Sequence, residues 1–437
     1  MKRILFGLSF FIFLFLSLEA SEKISLEQAV QDGLNMSGSY QNRFLTQKQS
    51  ALRVDQSSKN KRFNLDFNAR YLYKSETLNI EFPGIEIPGM ISLPGQNIEA
   101  GLHHNYDLSL SLNQPIFTGR VLSRMVEMEK VQEAVETNQT ELEKNLIVDL
   151  IKSSFFDYQI LLSRKQAALS LQKTLQLHCQ KLENLFQEGL IRKTDLLETK
   201  ASLEQTDMNL NDINQALEKV GISFHRMCGH YPEEIDLNYK EEKLGEEQAL
   251  EFFKKNHPVL KTLEDQKKIL EIQKKISSGK YLPRINGFAE LHYGKPGINF
   301  FEKEWTLYFQ GGVAFNIPIF DWNKGNEEQR ILDLNIQKLE NRKNDFVKET
   351  KKNLDQLYSA KESLNQKKGN VENMIKYSKE DAELKKGLYK EKQIPNKDYL
   401  ASLQAERKYK AMKNEISLQI EKIKVKINTL ISRTKEY

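Results

Sequence analysis

The strongest constraint on this chain is that its pattern is written twice, at two offsets. Glu27-Gln28-Ala29 returns as Glu247-Gln248-Ala249, and Ser57-Ser58 as Ser277-Ser278, each 220 residues later. At that offset the alternating run Phe63–Tyr71 lands on Pro283–Leu291. Farther along, the offset is 203. Asn113-Gln114-Pro115-Ile116-Phe117 answers to Asn316-Ile317-Pro318-Ile319-Phe320, and Leu185-Phe186-Gln187-Glu188 to Leu388-Tyr389-Lys390-Glu391. The difference, 17 residues, falls between Lys74 and Tyr106, the stretch carrying Pro83, Pro88 and Pro94. A repeated unit that changes length only in a Pro-bearing stretch implies a fixed scaffold with one free loop. The expected organisation is an export segment at 1–20, a first repeat at 21–228, a polar equatorial linker at 229–246 and a second repeat at 247–437. Each repeat should supply a helix, a β-hairpin, a long helix, a tip turn and a return helix.

Four runs alternate with period two. Phe63, Leu65, Phe67, Ala69, Tyr71 and Tyr73 share one face, and Tyr106, Leu108, Leu110 and Leu112 another. In the second repeat Ile285, Ala289, Leu291 and Tyr293 do the same, as do Trp305, Leu307, Phe309, Val313, Phe315 and Ile317. Alternation with one apolar face predicts strands. Runs of about ten residues cross a bilayer when tilted, and aromatics near the run ends suit its interfaces. The plainer alternative is a soluble amphipathic sheet. In lipid, four strands cannot close a barrel and an open edge is not tolerated, so several copies must contribute strands to one ring.

Between Pro115 and Pro232, and between Pro318 and Pro395, there is no proline. Residues 120–188 predict one helix of roughly 100 Å at 1.5 Å per residue. Leu142, Leu146 and Leu150 mark one packing stripe; Leu357, Leu364 and Val371 mark another at heptad spacing. Shorter helices at about 26–59, 195–227, 247–278 and 398–433 stack in pairs against the long ones, since a single long helix is not stable alone in water. Acids and bases, 60 and 65 of them, are interleaved along these helices and leave a net charge of only +5. That is a solvated helix face rather than the concentrated basic patch of a nucleic-acid binder.

The first twenty residues stand apart. Lys2 and Arg3 precede the apolar run Ile4–Leu18, and Ala20-Ser21 offers a cleavage point. This predicts a cleaved signal peptide, and no later segment is long and apolar enough to be a membrane helix. Cys179 and Cys228 are too few for a disulfide framework. No Gly-rich phosphate loop, His-Glu-x-x-His or Cys-x-x-Cys pattern occurs, so neither an enzyme nor a cofactor is expected. His103-His104 reads as a solvent-exposed pair, and His178 and Cys179 as helix packing residues.

Taken in order, these segments resemble one family. Ser25-Leu26-Glu27-Gln28-Ala29, a strand, Leu110–Phe117 with its Asn-Gln-Pro-Ile-Phe ending, a long helix, and Glu188-Gly189-Leu190 ahead of Thr194-Asp195-Leu196-Leu197 are similar to the TolC-type outer-membrane efflux proteins. The resemblance implies a homotrimer with a twelve-stranded outer-membrane barrel and a helical periplasmic tunnel. It also implies a periplasmic adaptor and an inner-membrane pump as partners, in an efflux or type I secretion system. The alternative function is a periplasmic coiled-coil structural or adaptor protein. The sequence departs from the family pattern where Lys392 stands opposite Gly189 and Trp322 opposite Gly119. The candidate site is the pair of tip turns: Gly189, Leu190, Arg192, Lys193 and Asp195 in the first repeat, Ile394, Lys397 and Asp398 in the second. Asp195 and Asp398 are expected to cap helices, to form a carboxylate ring about a three-fold axis, or both, with Arg192, Lys193 and Lys397 as pairing cations.

Overall fold

The structure, a computed structural model, describes residues 23–87, 91–235, 244–299 and 301–433. The expected export segment lies outside these residues, as do positions 236–243 of the expected equatorial linker. In chain order the elements are α1 (Leu26–Met36), α2 (Gly38–Lys59), β1 (Asn64–Tyr73), β2 (Leu78–Phe82), β3 (Ile85–Ile87), β4 (Ile91–Leu93), β5 (Gln96–Ala100), β6 (His104–Thr118), α3 (Val121–Gln187) and α4 (Lys193–Cys228). After a short 3-10 turn at Pro232–Glu234 follow α5 (Glu246–Asn256), α6 (Pro258–Gly279), β7 (Arg284–Lys295), β8 (Thr306–Asn316), α7 (Lys324–Lys390) and α8 (Asn396–Leu430). The element starts keep both sequence offsets. From α1 to α5, from α2 to α6 and from β1 to β7 the step is 220 residues; from α3 to α7 and from α4 to α8 it is 203. Both α3 and α7 are 67 residues long.

Two expected helices are each broken once. The segment 26–59 divides at Ser37, whose extended backbone ends α1 and whose hydroxyl accepts from the Tyr40 amide. The segment 247–278 divides at His257, held extended ahead of Pro258, which supplies no amide for α5 to continue.

The chain forms two compact units, and each draws on both halves of the sequence. One comprises Asn42–Glu141 and Pro258–Lys348; the other comprises the residues up to Gln41, Leu142–His257 and Glu349 onward.

The first unit holds an antiparallel sheet in the order β1-β6-β7-β8. Its register sets Phe67, Leu110, Leu291 and Phe309 side by side across all four strands. The next row toward the β1 C-terminus is Asn68, Ser109, His292 and Tyr308, on the opposite face. The apolar face is the exposed one: Phe67 and Phe309 are 70% and 67% exposed, while Ser109 and His292 are buried. Behind that buried face Asp107, His292, Glu290 and Gln310 form a chain of hydrogen bonds, and Arg70 pairs with Asp107 at 3.3 Å. One end of the exposed face carries an aromatic cluster, with Tyr106 5.7 Å and Tyr293 4.9 Å from Trp305, and Tyr71 5.2 Å from Tyr106. The edge strands β1 and β8 each have one neighbour in this sheet. The Pro-bearing stretch expected to be a free loop is a ribbon instead: β2 pairs with β5 and β3 with β4.

The second unit is helical. Its main core joins α1, α3, α4 and α8 through Val30, Ile151, Phe155, Phe224 and Val425, closed by Ile235. The stripe expected at Leu142, Leu146 and Leu150 is not the core. Leu146 and Leu150 are 60% and 58% exposed, and the buried face of α3 runs through Ile147, Val148, Ile151 and Phe155. The α7 stripe packs as expected, with Val371 against Ile416 and Ile420 of α8 and Leu364 alongside. Inside the α3–α4 pair the contacts are also apolar, through Tyr158, Leu210, Ile213 and Leu217. Beyond the apolar packing of Val425, a series of polar contacts runs antiparallel between α3 and α8. Asp149 meets Thr429 at 2.9 Å, Asp157 meets Lys422 at 2.6 Å, Arg164 meets Glu415, Thr174 meets Arg407 at 2.6 Å, and His178 meets Asn396 at 2.6 Å.

Candidate functional site

Both tip turns are built by the same backbone device. At the end of α3 the Leu190 amide donates to the Leu185 carbonyl and the Gly189 amide to that of Phe186, each at 2.9 Å. At the end of α7 the Gln393 amide donates to Leu388 and the Lys392 amide to Tyr389, at 2.9 and 3.0 Å. This paired closure needs a left-handed residue at the first position past the helix, where glycine carries no penalty. Gly189 supplies it with φ +72°, and Lys392 adopts φ +62° without being glycine. The same holds at the strand-to-helix corner, where Gly119 has φ +62° and Trp322 φ +58°. The two departures from the family pattern are therefore changes of residue at an unchanged backbone conformation.

The expected capping role of the aspartates is corrected by the helix starts. Arg192 and Pro395 occupy the cap positions, and neither helix has a side-chain cap bond. Asp195 and Asp398 are each the third helical residue, where a carboxylate still interacts favourably with the helix dipole. Arg192, Lys193, Lys397 and Asp398 are exposed, as are Gly189 and Leu190; Asp195 and Ile394 are half-buried. Among the described residues no ion pair within the chain joins these cations to these aspartates.

What brings the two turns together is a set of residues the sequence reading assigned to packing or passed over. Asn396, the first residue of α8, is buried to 1%. Its Oδ1 lies 2.6 Å from His178 Nε2 of α3, and its Nδ2 donates to Thr199 Oγ1 at 3.0 Å and to the Asp195 carbonyl at 3.2 Å. All the polar atoms of that amide are thus satisfied, which fixes its orientation and makes His178 Nε2 the donor. The rings of Tyr389 and Tyr399 stack 5.2 Å apart, and His178 meets both edge-on at 5.8 and 5.5 Å. Burial pushes the His178 imidazole below its ordinary value and both phenols above theirs; the Asp195 charge adds to the rise at Tyr389. A sequence signal for this node existed. His178 occupies the position that continues Leu171 and Leu175 toward Leu182, and a polar residue on an apolar heptad face marks a specified contact. Cys179 lies beside it, buried and free, with Leu182 and Leu196; Cys228 is also free.

Elsewhere, Cys228 does not join its neighbouring histidines in a cluster. His230 faces Asp32 at 2.9 Å and His225 stacks on Tyr231. Among the described residues no group of three or more His, Cys, Asp or Glu is placed to hold a metal, and no helix is long and apolar enough to cross a membrane.

No protein-family model and no curated sequence relative matches the chain. Solved structures do match it. The outer membrane protein VceC of Vibrio cholerae superposes with a TM-score of 0.73 at 11% identity, over 93% of this chain and 96% of that one. The CmeC outer membrane channel of Campylobacter jejuni gives 0.70 at 14%, over 94% and 87%. The MtrE outer membrane channel of Neisseria gonorrhoeae, in its open state, gives 0.72 at 13%, over 93% and 88%. At these identities the likeness is one of fold, and the fold is the one that the TolC-type resemblance implies.

Proposed function

On the premise of that shared fold, we propose that the chain is a passive outer-membrane exit duct. Three copies would place twelve strands in one barrel, with the polar face of each sheet lining water and the apolar face meeting lipid. The carrying observation is the inverted polarity of the β1-β6-β7-β8 sheet: Phe67, Leu110 and Phe309 are exposed while Ser109, Ser111 and His292 are buried. In water such a sheet would be on the wrong side of the hydrophobic effect, whereas in lipid it is the stable arrangement. The free edges of β1 and β8 support the oligomer, because an unpaired edge in a bilayer leaves backbone groups without partners. The paired element offsets support an internal duplication as the origin of the two hairpins.

The energy for export would come from an inner-membrane pump reached through a periplasmic adaptor that meets the tip turns, as part of an efflux or type I secretion assembly. Since the tip cations make no ion pair with Asp195 or Asp398 within one chain, they are available to those of a neighbouring copy. Arg192 and Lys397 would then close the tip through exchangeable pairs of roughly 0.2–1 kcal/mol each. The test is conductance in planar bilayers. Arg192→Gln combined with Lys397→Gln should raise single-channel conductance, and Asp398→Asn should weaken block by multivalent cations applied from the stem side. Unchanged conductance and block would leave the two aspartates as helix-start acids only. Absence of both channels and heat-resistant trimers from outer-membrane fractions would favour a periplasmic coiled-coil protein.

A further inference from the structure

In the helical unit α3, α4, α7 and α8 leave a cavity of about 590 Å³. Ala167, Ala168 and Ala411, with side chains of one carbon, are among the residues that line it. Its apolar lining comes from Leu171, Ile213, Leu364 and Ile416. The charged lining is mainly cationic, with Arg164, Lys367, Arg407 and Lys408 against one carboxylate, Glu415, beside the neutral amides Asn209, Gln404 and Gln419.

That carboxylate is already taken. Arg164 holds it through two hydrogen bonds, the Nε bond at 3.0 Å. Among the described residues Arg407 has no acidic partner: its guanidinium donates to the hydroxyls of Ser170 and Thr174, which steady the fork without neutralising it. Among the described residues no ion pair is formed by Lys367 or Lys408. Three positive charges therefore border a partly apolar space that no side chain of the described residues fills. A volume in this range, with an apolar body and a few oriented polar groups, is what small-molecule sites share. A guanidinium held in place by neutral hydroxyls keeps its charge and its planar fork for an incoming oxyanion.

We propose that this cavity binds an anionic amphiphile, a single carboxylate, sulfate, sulfonate or phosphate head on a compact hydrocarbon or aromatic body. The head sits at Arg407 and Lys408 and the body lies against Leu171, Ile213 and Ile416. The site stands on the helical unit alone and does not require that the chain conduct. Two sources share this chemistry: a resident acyl anion retained from the cell, and a solute in passage.

The experiment uses the full chain in an uncharged detergent and isothermal titration with three water-soluble probes: naphthalene-2-sulfonate, 2-naphthalenemethanol and 2-naphthylmethylammonium. The sulfonate should bind, the alcohol at least ten-fold more weakly, and the ammonium not measurably. Arg407→Gln with Lys408→Gln should weaken the sulfonate at least ten-fold and leave the alcohol unchanged, whereas Ala411→Phe should remove both. Circular dichroism checks that the variants fold; if they do not, the wild-type probe series decides. Equal binding of sulfonate and ammonium overturns the proposal, as does sulfonate affinity unmoved in a folded double variant. Native mass spectrometry then separates the sources. A copurifying acyl anion displaced by the sulfonate identifies a resident ligand, and free exchange with an empty protein identifies a passing solute; both agree with the site. No sulfonate binding, with nothing copurified, overturns it.

Discussion

In the four-stranded sheet the side chains removed from solvent are Ser109, Ser111 and His292; in the α1–α3–α4–α8 core they are Phe155, Phe224 and Val30. The two regions solve opposite solvation problems with the same twenty residues. The helical core follows the ordinary rule that apolar area leaves water. The sheet inverts it, and its buried His292 stays bonded through Asp107 and Glu290, the latter also held by Gln310. The contrast is the one the proposed duct requires, a sheet that meets lipid and helices that meet water, although their elements alternate along one chain.

The sharpest way to probe the contrast is to cut the same kind of contact in each region. Phe224 is wholly buried in the helical core, and Phe224→Ala should destabilise it by about 3–5 kcal/mol. Helical melting in detergent, followed by circular dichroism, would register this as a marked fall in midpoint. On the sheet the damaging change is a charge on the exposed face. Leu110→Arg or Phe309→Arg should cost roughly 2–4 kcal/mol near mid-membrane, while the same change at Ser109 or Gln310 costs far less. Oligomer yield in membranes reads the difference. Equal tolerance on both faces would erase the contrast and return the sheet to water.

A third test lies wholly in the helical unit. His257 is buried at the α5–α6 break and hydrogen-bonds the Leu430 carbonyl; burial takes its pKa from 6.5 down to about 4. Folding therefore favours the neutral ring. The contribution is complete above about pH 6.5 and drains away as pH falls toward 4, by up to about 3 kcal/mol. Stability of the helical signal should decline between pH 6.5 and 4.5, and His257→Asn should flatten that decline. A slope of the same size in the variant would assign the acid sensitivity to other groups.

The smallest expected effect compares the two tips. Lys392 holds a left-handed backbone that Gly189 adopts freely. Lys392→Gly should stabilise the α7–α8 turn by at most about 1 kcal/mol, since relief of the left-handed penalty is offset by glycine's larger unfolded entropy. Gly189→Lys should do the reverse; no atom lies within 4 Å of a Cβ built there, so backbone strain alone sets the cost. Opposite signs in denaturant midpoints would establish that the two turns are one device. Equal signs would separate them.

Much of this architecture was legible before any coordinates. Period-two alternation located the four long strands to within a few residues, because a sheet with one apolar face leaves no ambiguity of phase. The absence of proline located α3 and α7, and the repeat located both turns. The ribbon β2–β5 was hidden because its strands are short and its prolines at 83 and 94 sit at the strand ends, where they do not interrupt pairing. Pro258 stood in plain view inside a segment read as one helix, but the matching break at Ser37 carries no such mark. The Leu142–Leu146–Leu150 stripe misled because spacing gives a face and not its partner; that face is left exposed in the single chain. The tip node was missed for a different reason. Asn396 acquires its role only when His178, 218 residues earlier, arrives beside it.

The polar rungs between α3 and α8 have a mechanical consequence. Apolar packing within the α3–α4 and α7–α8 pairs resists separation because every step bares hydrocarbon to water. The middle of the seam, from Arg164–Glu415 to Ser170–Arg407, is exposed, and each rung there can trade its partner for a water molecule at small cost; its ends, at Val425 in the core and at the buried Asn396, cannot. Each helical pair is thus held by apolar packing along its length, whereas the seam between α3 and α8 is apolar or buried only toward its ends. A load on the seam is therefore carried at its two ends, by Asn396 on His178 and by Val425 in the core, while the rungs between them exchange partners.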